Sequence, residues 1–591
     1  MKKLQETSIQ YLKGIGPKKA KSFNKSGIDT IEDLLYYFPR RYEDRTNFIL
    51  ISQLKEGQNQ IIKYALYEYL PKINDFIPYD IRARNNLLNL AKSLRFIHFP
   101  DNFETQKEVY RRLSFEEFFL FQLPLALRKL KKKKKIGISH RVEGELVNNF
   151  MESLPFALTA SQKRVIEEIK SDMAKPLCMQ RLLQGDVGSG KTVVATIAAV
   201  VAIQGGYQAA ILVPTEILAK QHFEKIKYQS IKVSKYQEKE ISIGLLIGSA
   251  QKKEKERLYK EIKEGKIDLV IGTHALLEED LKFKSLGLVV IDEQHKFGVG
   301  QRALLPKKGS NPDILIMTAT PIPRTLAITL YGDLDISVIN ELPLGRKPIS
   351  TQRIGSDRKD WLYSLIKENI RSGRQVYVIY PIIEESFALD LLSAKKMYAE
   401  FKHNIFPEFN VDLIHGRLKQ TQQDRIMSEF REGRIQILIA TTVLEVGIDV
   451  ANATVMVIEH AERFGLSQLH QLRGRIGRGP YASVCILVSN ASSPEAKARL
   501  SAMVSYSDGF RIAEEDLKIR GPGEFFGKRQ HGLTELKIAN PLTQMQLLKR
   551  AREEAIKVIN TDSRLEARQN VLLKEKLLQR FPEYEKLMVV G

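Results

Sequence analysis

Residues 185–192 read Gly-Asp-Val-Gly-Ser-Gly-Lys-Thr, and no other stretch restricts the fold so tightly. Glycines at this spacing let backbone N–H groups wrap a phosphate at a helix N-terminus, which requires a strand before the loop and a helix after it. The apolar run Arg181–Leu183 and the helical pattern Thr192–Ile203 supply both. Further short β-branched runs alternate with helical patterns: Ala209–Val213, Ile267–Ile271, Leu288–Ile291 and Ile314–Met317, then Gln375–Tyr380, Val411–Ile414, Ile435–Ile439, Thr454–Ile458 and Val484–Val488. Runs apolar throughout are the signature of parallel strands buried on both faces. Between the two series Glu341–Lys347, with Pro343, Gly345 and Pro348 in and beside it, reads as a linker. The pattern predicts an α/β protein with two tandem doubly wound parallel-sheet domains, 151–342 and 343–498.

The flanks have a different texture. Residues 1–60 read as short helices around the turn Gly14-Ile15-Gly16-Pro17, and 61–150 as a helical linker region. No glycine occurs from Gln58 to Ile136, which argues against a small barrel and leaves at most a strand or two near Phe48–Ile51 and Ile61–Tyr67. Helical patterns cover Asn85–Ile97 and Phe115–Leu130 and end in Lys131–Lys135. The C-terminal region 499–591 is again helical and charged, interrupted by Gly521-Pro522-Gly523. Lys and Arg number 92 against 70 Asp and Glu, a formal net charge of +22 that suits a polyanionic partner or an anionic membrane surface. Cys178 and Cys485 are the only cysteines, which excludes a disulfide framework and a Cys-based zinc site. No apolar run reaches about 18 residues and no signal-peptide core is present, so the expectation is a cytoplasmic protein that does not span a membrane.

In the phosphate loop Lys191 is placed to meet β- and γ-phosphates and Thr192 to hold Mg2+. Leu288-Val-Val-Ile-Asp292-Glu293 puts two carboxylates at the carboxyl end of a strand, Asp292 for magnesium and Glu293 to orient and deprotonate the attacking water. The second α/β domain has no phosphate loop but carries Arg473, Arg475 and Arg478. The economical arrangement is one ATP in the cleft between domains, with Arg475 and Arg478 reaching across to the γ-phosphate.

This set, with Thr318-Ala319-Thr320 and Gln-x-x-Gly-Arg-x-Gly-Arg from Gln471 to Arg478, resembles the superfamily-2 helicases. Phe156-x-Leu-Thr-x-x-Gln162, Asp292–Gly298, Thr318–Arg324 and Thr442–Asp449 resemble the RecG family more closely. So do Leu12–Pro17, Asp33-Leu-Leu and Pro39–Arg45 upstream, and Phe510–Glu524 with Gln530 downstream. The resemblance implies two tandem RecA-like motor domains in an ATP-dependent helicase of branched DNA (replication forks, Holliday junctions) serving repair and recombination. It implies that Gln162 contacts adenine, beside Phe156 and Thr159, within a nucleotide site that includes Gly185, Asp186, Val187, Gly188, Ser189, Gly190, Lys191 and Thr192. It implies that Gly447 and Asp449 couple nucleotide to DNA. Arg324 and His295 join hydrolysis to strand movement, and DNA-side contacts fall at Thr215, Thr273, His274, Thr318, Thr320, Thr441 and Thr442. The block Phe510–Gly532 resembles the translocation motif shared with Mfd motors, making Arg520 and Gln530 transmission residues. A monomer on DNA, with a single-strand-binding protein as partner, is the expected assembly. Only residues 46–96 lie between Arg45 and the family-like Ile97-His-Phe-Pro100, less than a five-stranded wedge barrel needs, so most of the wedge is expected to be missing.

Other readings stay open on the residues: a motor like Mfd that pushes a stalled polymerase, a duplex translocase that no longer unwinds forks, and a nucleotide-switched DNA-binding module. Lys131–Lys135 reads as a solvated helix end or a tracker of phosphates, and Phe115, Phe118, Phe119 and Phe121 as core contacts against the motor. His98 and His415 read as structural, and no His–carboxylate cluster suggests a nuclease or a structural metal.

Overall fold

The computed structural model describes residues 7–12, 15–37, 58–133, 136–234, 241–293, 297, 304–318, 334–343, 347–381, 387–441, 450–520, 536–541, 543–582 and 584. They fall into two compact units, each with its own core.

The larger unit holds two sheets, as the apolar runs predict. The first comprises β1 (Gln180–Gly185), β2 (Gln208–Leu212), β3 (Ile243–Leu246), β4 (Leu269–Gly272), β5 (Leu286–Ile291), β6 (Asp313–Thr318) and β7 (Asp335–Ile339), in the order β3-β4-β2-β5-β6-β1-β7. The second comprises β8 (Ile349–Ile354), β9 (Gln375–Ile379), β10 (Val411–Ile414), β11 (Ile437–Ala440), β12 (Ala453–Ile458) and β13 (Ser483–Val488), in the order β10-β11-β9-β12-β13-β8. Every pairing is parallel. All nine predicted runs from Ala209 to Val488 coincide with strands. The three strands the apolar pattern misses, β3, β7 and β8, each lie at a sheet edge. An edge strand is solvated on one side, so its residues alternate or turn polar, as in Ile-Ser-Thr-Gln-Arg-Ile of β8. Helices cover both faces. Lys191–Gln204, nearly all buried, packs on the first sheet beside Ala160–Met173, and Leu466–Arg473 packs with Pro494–Ser505 in the second lobe.

The smaller unit is built from both ends of the chain: its described residues are those up to Lys131 and those from 536 on. No strand occurs among its described residues, and Ile61–Tyr67 lies inside the helix Gln58–Tyr69, which corrects the expected strand there; Phe48–Ile51 lies outside the described residues. The long helix Phe103–Lys133 runs through its core. Phe115, Phe118 and Phe119 are completely buried, among Leu548, Ala551, Ala555 and Leu577 of the C-terminal helices. They are core residues as predicted, but their neighbours belong to this unit and not to the motor sheets. The helix also carries buried charge. Arg112, wholly enclosed, donates to Glu116 at 2.8 Å and to Asp75 at 2.9 Å. Glu117 accepts the backbone N–H groups of Lys537, Ile538 and Ala539 at 2.9–3.1 Å. One carboxylate thus secures the return of the C-terminal segment, which the stretch after residue 499 reaches only after sending Gly509–Arg520 into the other unit.

A buried ion pair that loses one partner leaves an uncompensated charge, whereas an exposed pair contributes little. Arg112→Ala is expected to lower stability by about 3–5 kcal/mol, seen as a fall in the denaturant midpoint. Arg257→Ala, which breaks the exposed 3.8 Å pair with Glu261, is expected to cost less than about 1 kcal/mol.

Candidate nucleotide site between the motor lobes

β1 delivers the chain to Gly185, and the loop turns through Gly188 (φ 76°) and Gly190 (φ 87°) into the helix beginning at Lys191. The left-handed backbone at Gly190 is also hemmed in, since a Cβ there would lie 2.2 Å from Gln162 Nε2. Gln162 and Thr159 form a reciprocal cap on the helix Ala160–Met173. The free end of the Gln162 amide donates to Ser189 O at 2.8 Å, so the cap also holds the loop. Phe156, half exposed, stands upstream of this cap. Lys191 Nζ donates to Gly185 O at 2.7 Å and Asp186 O at 2.9 Å. Burial pushes its ammonium below the ordinary value, opposed by the carboxylates of Glu293, Asp292 and Asp186, while Arg478 adds to the depression.

One strand removed from β1, across β6, β5 ends at Ile291 and presents Asp292 and Glu293. Asp292 Oδ1 accepts from Glu293 N at 2.9 Å, and Glu293 sits at φ 48°, an uncommon conformation for a residue with a side chain. His222, buried on the helix Glu216–Ser234, brings Nε2 to 3.6 Å from Asp292 Oδ2.

The second lobe reaches this loop directly. Gly474 lies so close that a Cβ there would be 2.7 Å from Val187 Cγ1. His470 Nε2 is 2.5 Å from Asp186 Oδ1, and Asp186 Oδ2 accepts Gly509 N at 3.1 Å. Burial would raise the Asp186 carboxyl, but the hydrogen bonds from His470, Val187 N and Gly509 N outweigh it and bring it down from 3.8 to about 2. A depressed carboxyl contributes its stability above the unfolded value, so this contact is complete above 3.8 and lost only as pH falls through about 2. Arg473, buried, donates to Met503 O and Tyr506 O at 2.9 Å, Ser507 O at 3.0 Å and His470 Nδ1 at 3.1 Å. The same stretch brings Arg478 close enough to act on the Lys191 ammonium, and Arg478 Nε donates to Gly474 O at 3.1 Å.

Thus Lys191, Thr192, Asp292 and Glu293 of one lobe and the Arg475–Arg478 segment of the other converge on one cleft. Thr215 opens the helix Glu216–Ser234, where its Oγ1 lies 3.4 Å from Leu218 N. Thr273, followed by His274, and Thr441 stand just past the carboxyl ends of β4 and β11, and both hydroxyls are buried without a hydrogen-bond partner among the described residues. Thr318 closes β6. Arg520 ends the helix Gly509–Arg520. His295, Thr320, Arg324, Thr442, Gly447, Asp449 and Gln530 lie outside the described residues. Sequence reasoning passed over His470, His222 and the Gly509 N–H, and named Arg473 among the arginines without giving it a role. Arg473 and His470 lie in or beside the arginine motif, but nothing local says that one spans to Asp186 and the other clamps three carbonyls.

Comparison with known proteins follows the same architecture. A DEAD/DEAH box helicase model matches residues 159–328 and a helicase conserved C-terminal domain model matches 357–480. A model of the RecG helicase's domain 3 C-terminal part matches 506–583. A RecG wedge domain model matches residues 8–75, which corrects the expectation that most of the wedge is missing; the described residues of that match are helical. The ATP-dependent DNA helicase RecG of Bacillus subtilis is 39% identical over 98% of this chain and 98% of its own length. That alignment runs over 678 positions, more than the 591 residues here, so the relative carries internal residues this chain lacks. RecG of Thermotoga maritima is 40% identical over 93% of this chain and 83% of its own. RecG of Synechocystis is 48% identical over 88% of this chain, which spans 61% of that relative. A solved structure of RecG bound to a three-way DNA junction superposes with a TM-score of 0.70 at 37% identity, covering 92% of this chain and 85% of that one.

Because Gly474 admits no side chain against Val187, Gly474→Ala is expected to displace the arginines by about 1 Å and lower ATPase activity about 100-fold. Gly474→Ala combined with Val187→Ala should recover much of it, and steady-state hydrolysis measures both.

Proposed function

This chain belongs to the RecG family of ATP-dependent DNA helicases, and on that premise we propose that one ATP binds in the cleft between its motor lobes and that its hydrolysis drives the chain along duplex DNA at branch points. The observation that carries this reading is the convergence on one loop: Lys191 at the helix N-terminus, Asp292 and Glu293 at the end of β5, and the Arg475–Arg478 segment packed on it through Gly474 and Val187.

The loop fits a triphosphate. Two of its glycines are left-handed, a Cβ on Gly185 would lie 2.4 Å from Ser189 Oγ, and that buried hydroxyl has no partner among the described residues. Lys191, occupied here by loop carbonyls, exchanges them for β- and γ-phosphate oxygens. Thr192 and Asp292 would hold magnesium, which neutralises charge between the same oxygens. Among the described residues no group of three or more His, Cys, Asp or Glu could hold a metal. Glu293 orients the attacking water and accepts its proton, and Arg475 and Arg478 stabilise the charge that builds on the γ-phosphoryl group. Phe156, Thr159 and Gln162 lie on the adenine side, with Gly447 and Asp449 reporting from the second lobe.

Thr215, Thr273, His274, Thr318, Thr441 and Thr442 belong to the DNA side. The unpartnered hydroxyls of Thr273 and Thr441 support this, because buried polar groups are rarely left unsatisfied. His295, Thr320, Arg324, Arg520 and Gln530 transmit hydrolysis to movement. Since a RecG has been solved on a three-way junction, the substrate proposed here is a fork or junction, bound by a monomer with a single-strand-binding protein as partner. No helix among the described residues is long and apolar enough to cross a membrane, and a cytoplasmic location accords with a DNA substrate.

The test compares unwinding of a synthetic three-way fork with ATPase activity on linear duplex. Wild type is expected to do both and Lys191→Ala neither; Arg478→Ala should keep nucleotide binding while losing about 1000-fold in turnover. Duplex-stimulated ATPase without fork unwinding would identify a translocase instead, and no DNA stimulation at all would refute the motor.

A further inference from the structure

Asp186 is an anomalous residue in a loop built to hold an anion. A carboxylate within a few ångströms of a triphosphate repels it unless the charge is met by donors elsewhere. Among the described residues its donors are the N–H of its own neighbour Val187 at 2.6 Å, His470 Nε2 at 2.5 Å and Gly509 N at 3.1 Å. The last two come from the second lobe. His470 is 4% exposed and held from behind. Arg473 Nη2, which can only donate, lies 3.1 Å from His470 Nδ1, so Nδ1 accepts and Nε2 carries the hydrogen that Asp186 receives. Further bonds of Arg473, to Met503 O, Tyr506 O and Ser507 O, fix that arrangement to the backbone just before Gly509, and another reaches Thr351 Oγ1.

We propose that Asp186 and His470 form an electrostatic interlock: the phosphate loop takes a triphosphate tightly only when the second lobe supplies His470 Nε2–H and Gly509 N–H to the Asp186 carboxylate. If the lobes part, Asp186 loses both donors and its charge faces the phosphate site. Nucleotide affinity and lobe contact are then two readings of one equilibrium, and each strengthens the other by the same factor. His470 is a positioning residue in this scheme, acting on the nucleotide through Asp186.

The inference rests on the reading of residues 185–192 as the nucleotide site, and the variants separate the two. Equilibrium binding of a fluorescent, non-hydrolysable ATP analogue to the full chain is the measurement. His470→Leu is expected to weaken binding about tenfold, the size of one buried acceptor left without its donor. Adding Asp186→Asn to His470→Leu should return affinity to within about threefold of wild type, because no charge is left to neutralise. His470→Gln, whose amide N–H can serve Asp186 while its carbonyl accepts from Arg473, should bind like wild type. If His470→Leu binds normally, or if the double variant stays as weak as His470→Leu alone, the interlock is overturned and His470 only packs. If instead Lys191→Ala binds the analogue as well as wild type, the nucleotide-site reading itself falls.

Discussion

The motor of this protein depends on how closely two α/β lobes approach at one loop. The phosphate loop has almost no side-chain bulk, and neither does Gly474 where it meets Val187. That contact sets where Arg475 and Arg478 stand relative to Lys191, whose lowered pKa already registers Arg478. A cation that stabilises a developing phosphoryl charge must be within a few ångströms of it, so in the proposed mechanism the approach at Gly474 serves catalysis as well as packing. Around it the lobes share further contacts: the ion pair of Lys220 with Asp424 at 2.6 Å, that of Arg431 with Glu224 at 3.5 Å, and Ile217 packed against the second lobe's core. The ion pairs are exposed and worth little singly. The contact of Asp186 with His470 is better buried.

The smaller unit solves a different problem. Its N-terminal and C-terminal helices are joined through one core: Leu548, Ala551, Ala555 and Leu577 lie in it with Phe115, Phe118 and Phe119. Glu117 and Arg112 specify how the ends meet. Each is buried and each has donors or acceptors at normal hydrogen-bond distance, so misregistered packing would strand a charge. The RecG domain 3 model at 506–583 takes in both Gly509–Arg520, in the motor unit, and the helices that complete the smaller one. One contiguous sequence block therefore serves two cores.

Much of this was legible beforehand, and unevenly. Central strands of a parallel sheet are apolar on both faces, so Leu288–Ile291 or Gln375–Tyr380 announces itself, and Asp292-Glu293 at a strand end then reads as chemistry. Two edge strands do not: β7 and β8 mix polar and apolar residues because one side meets solvent, whereas the edge strand β10 is apolar enough to read. The segment Ile61–Tyr67, β-branched enough to suggest a strand, became helix because its surroundings are helices and local preference is a weak prior. Gln162 was expected at adenine, and here its amide joins Thr159 N to Ser189 O, a role that only the fold of the loop could reveal.

By itself, the sequence determined the class of the protein: a strand–loop–helix for phosphate, a carboxylate pair at a buried strand end, arginines for the transition state, and two series of parallel strands to carry them. Those features are local, since glycine spacing, apolar runs and charge types act within a few residues of themselves. Tertiary structure alone decided that Asp186 turns away from the loop to His470 and Gly509, that Arg473 spends its guanidinium on three carbonyls instead of phosphate, and that the chain's two ends build one core. Each of these joins residues tens to hundreds of positions apart, and no local preference encodes such a meeting. It arises when packing leaves buried donors and acceptors facing one another and desolvation makes any other arrangement costly.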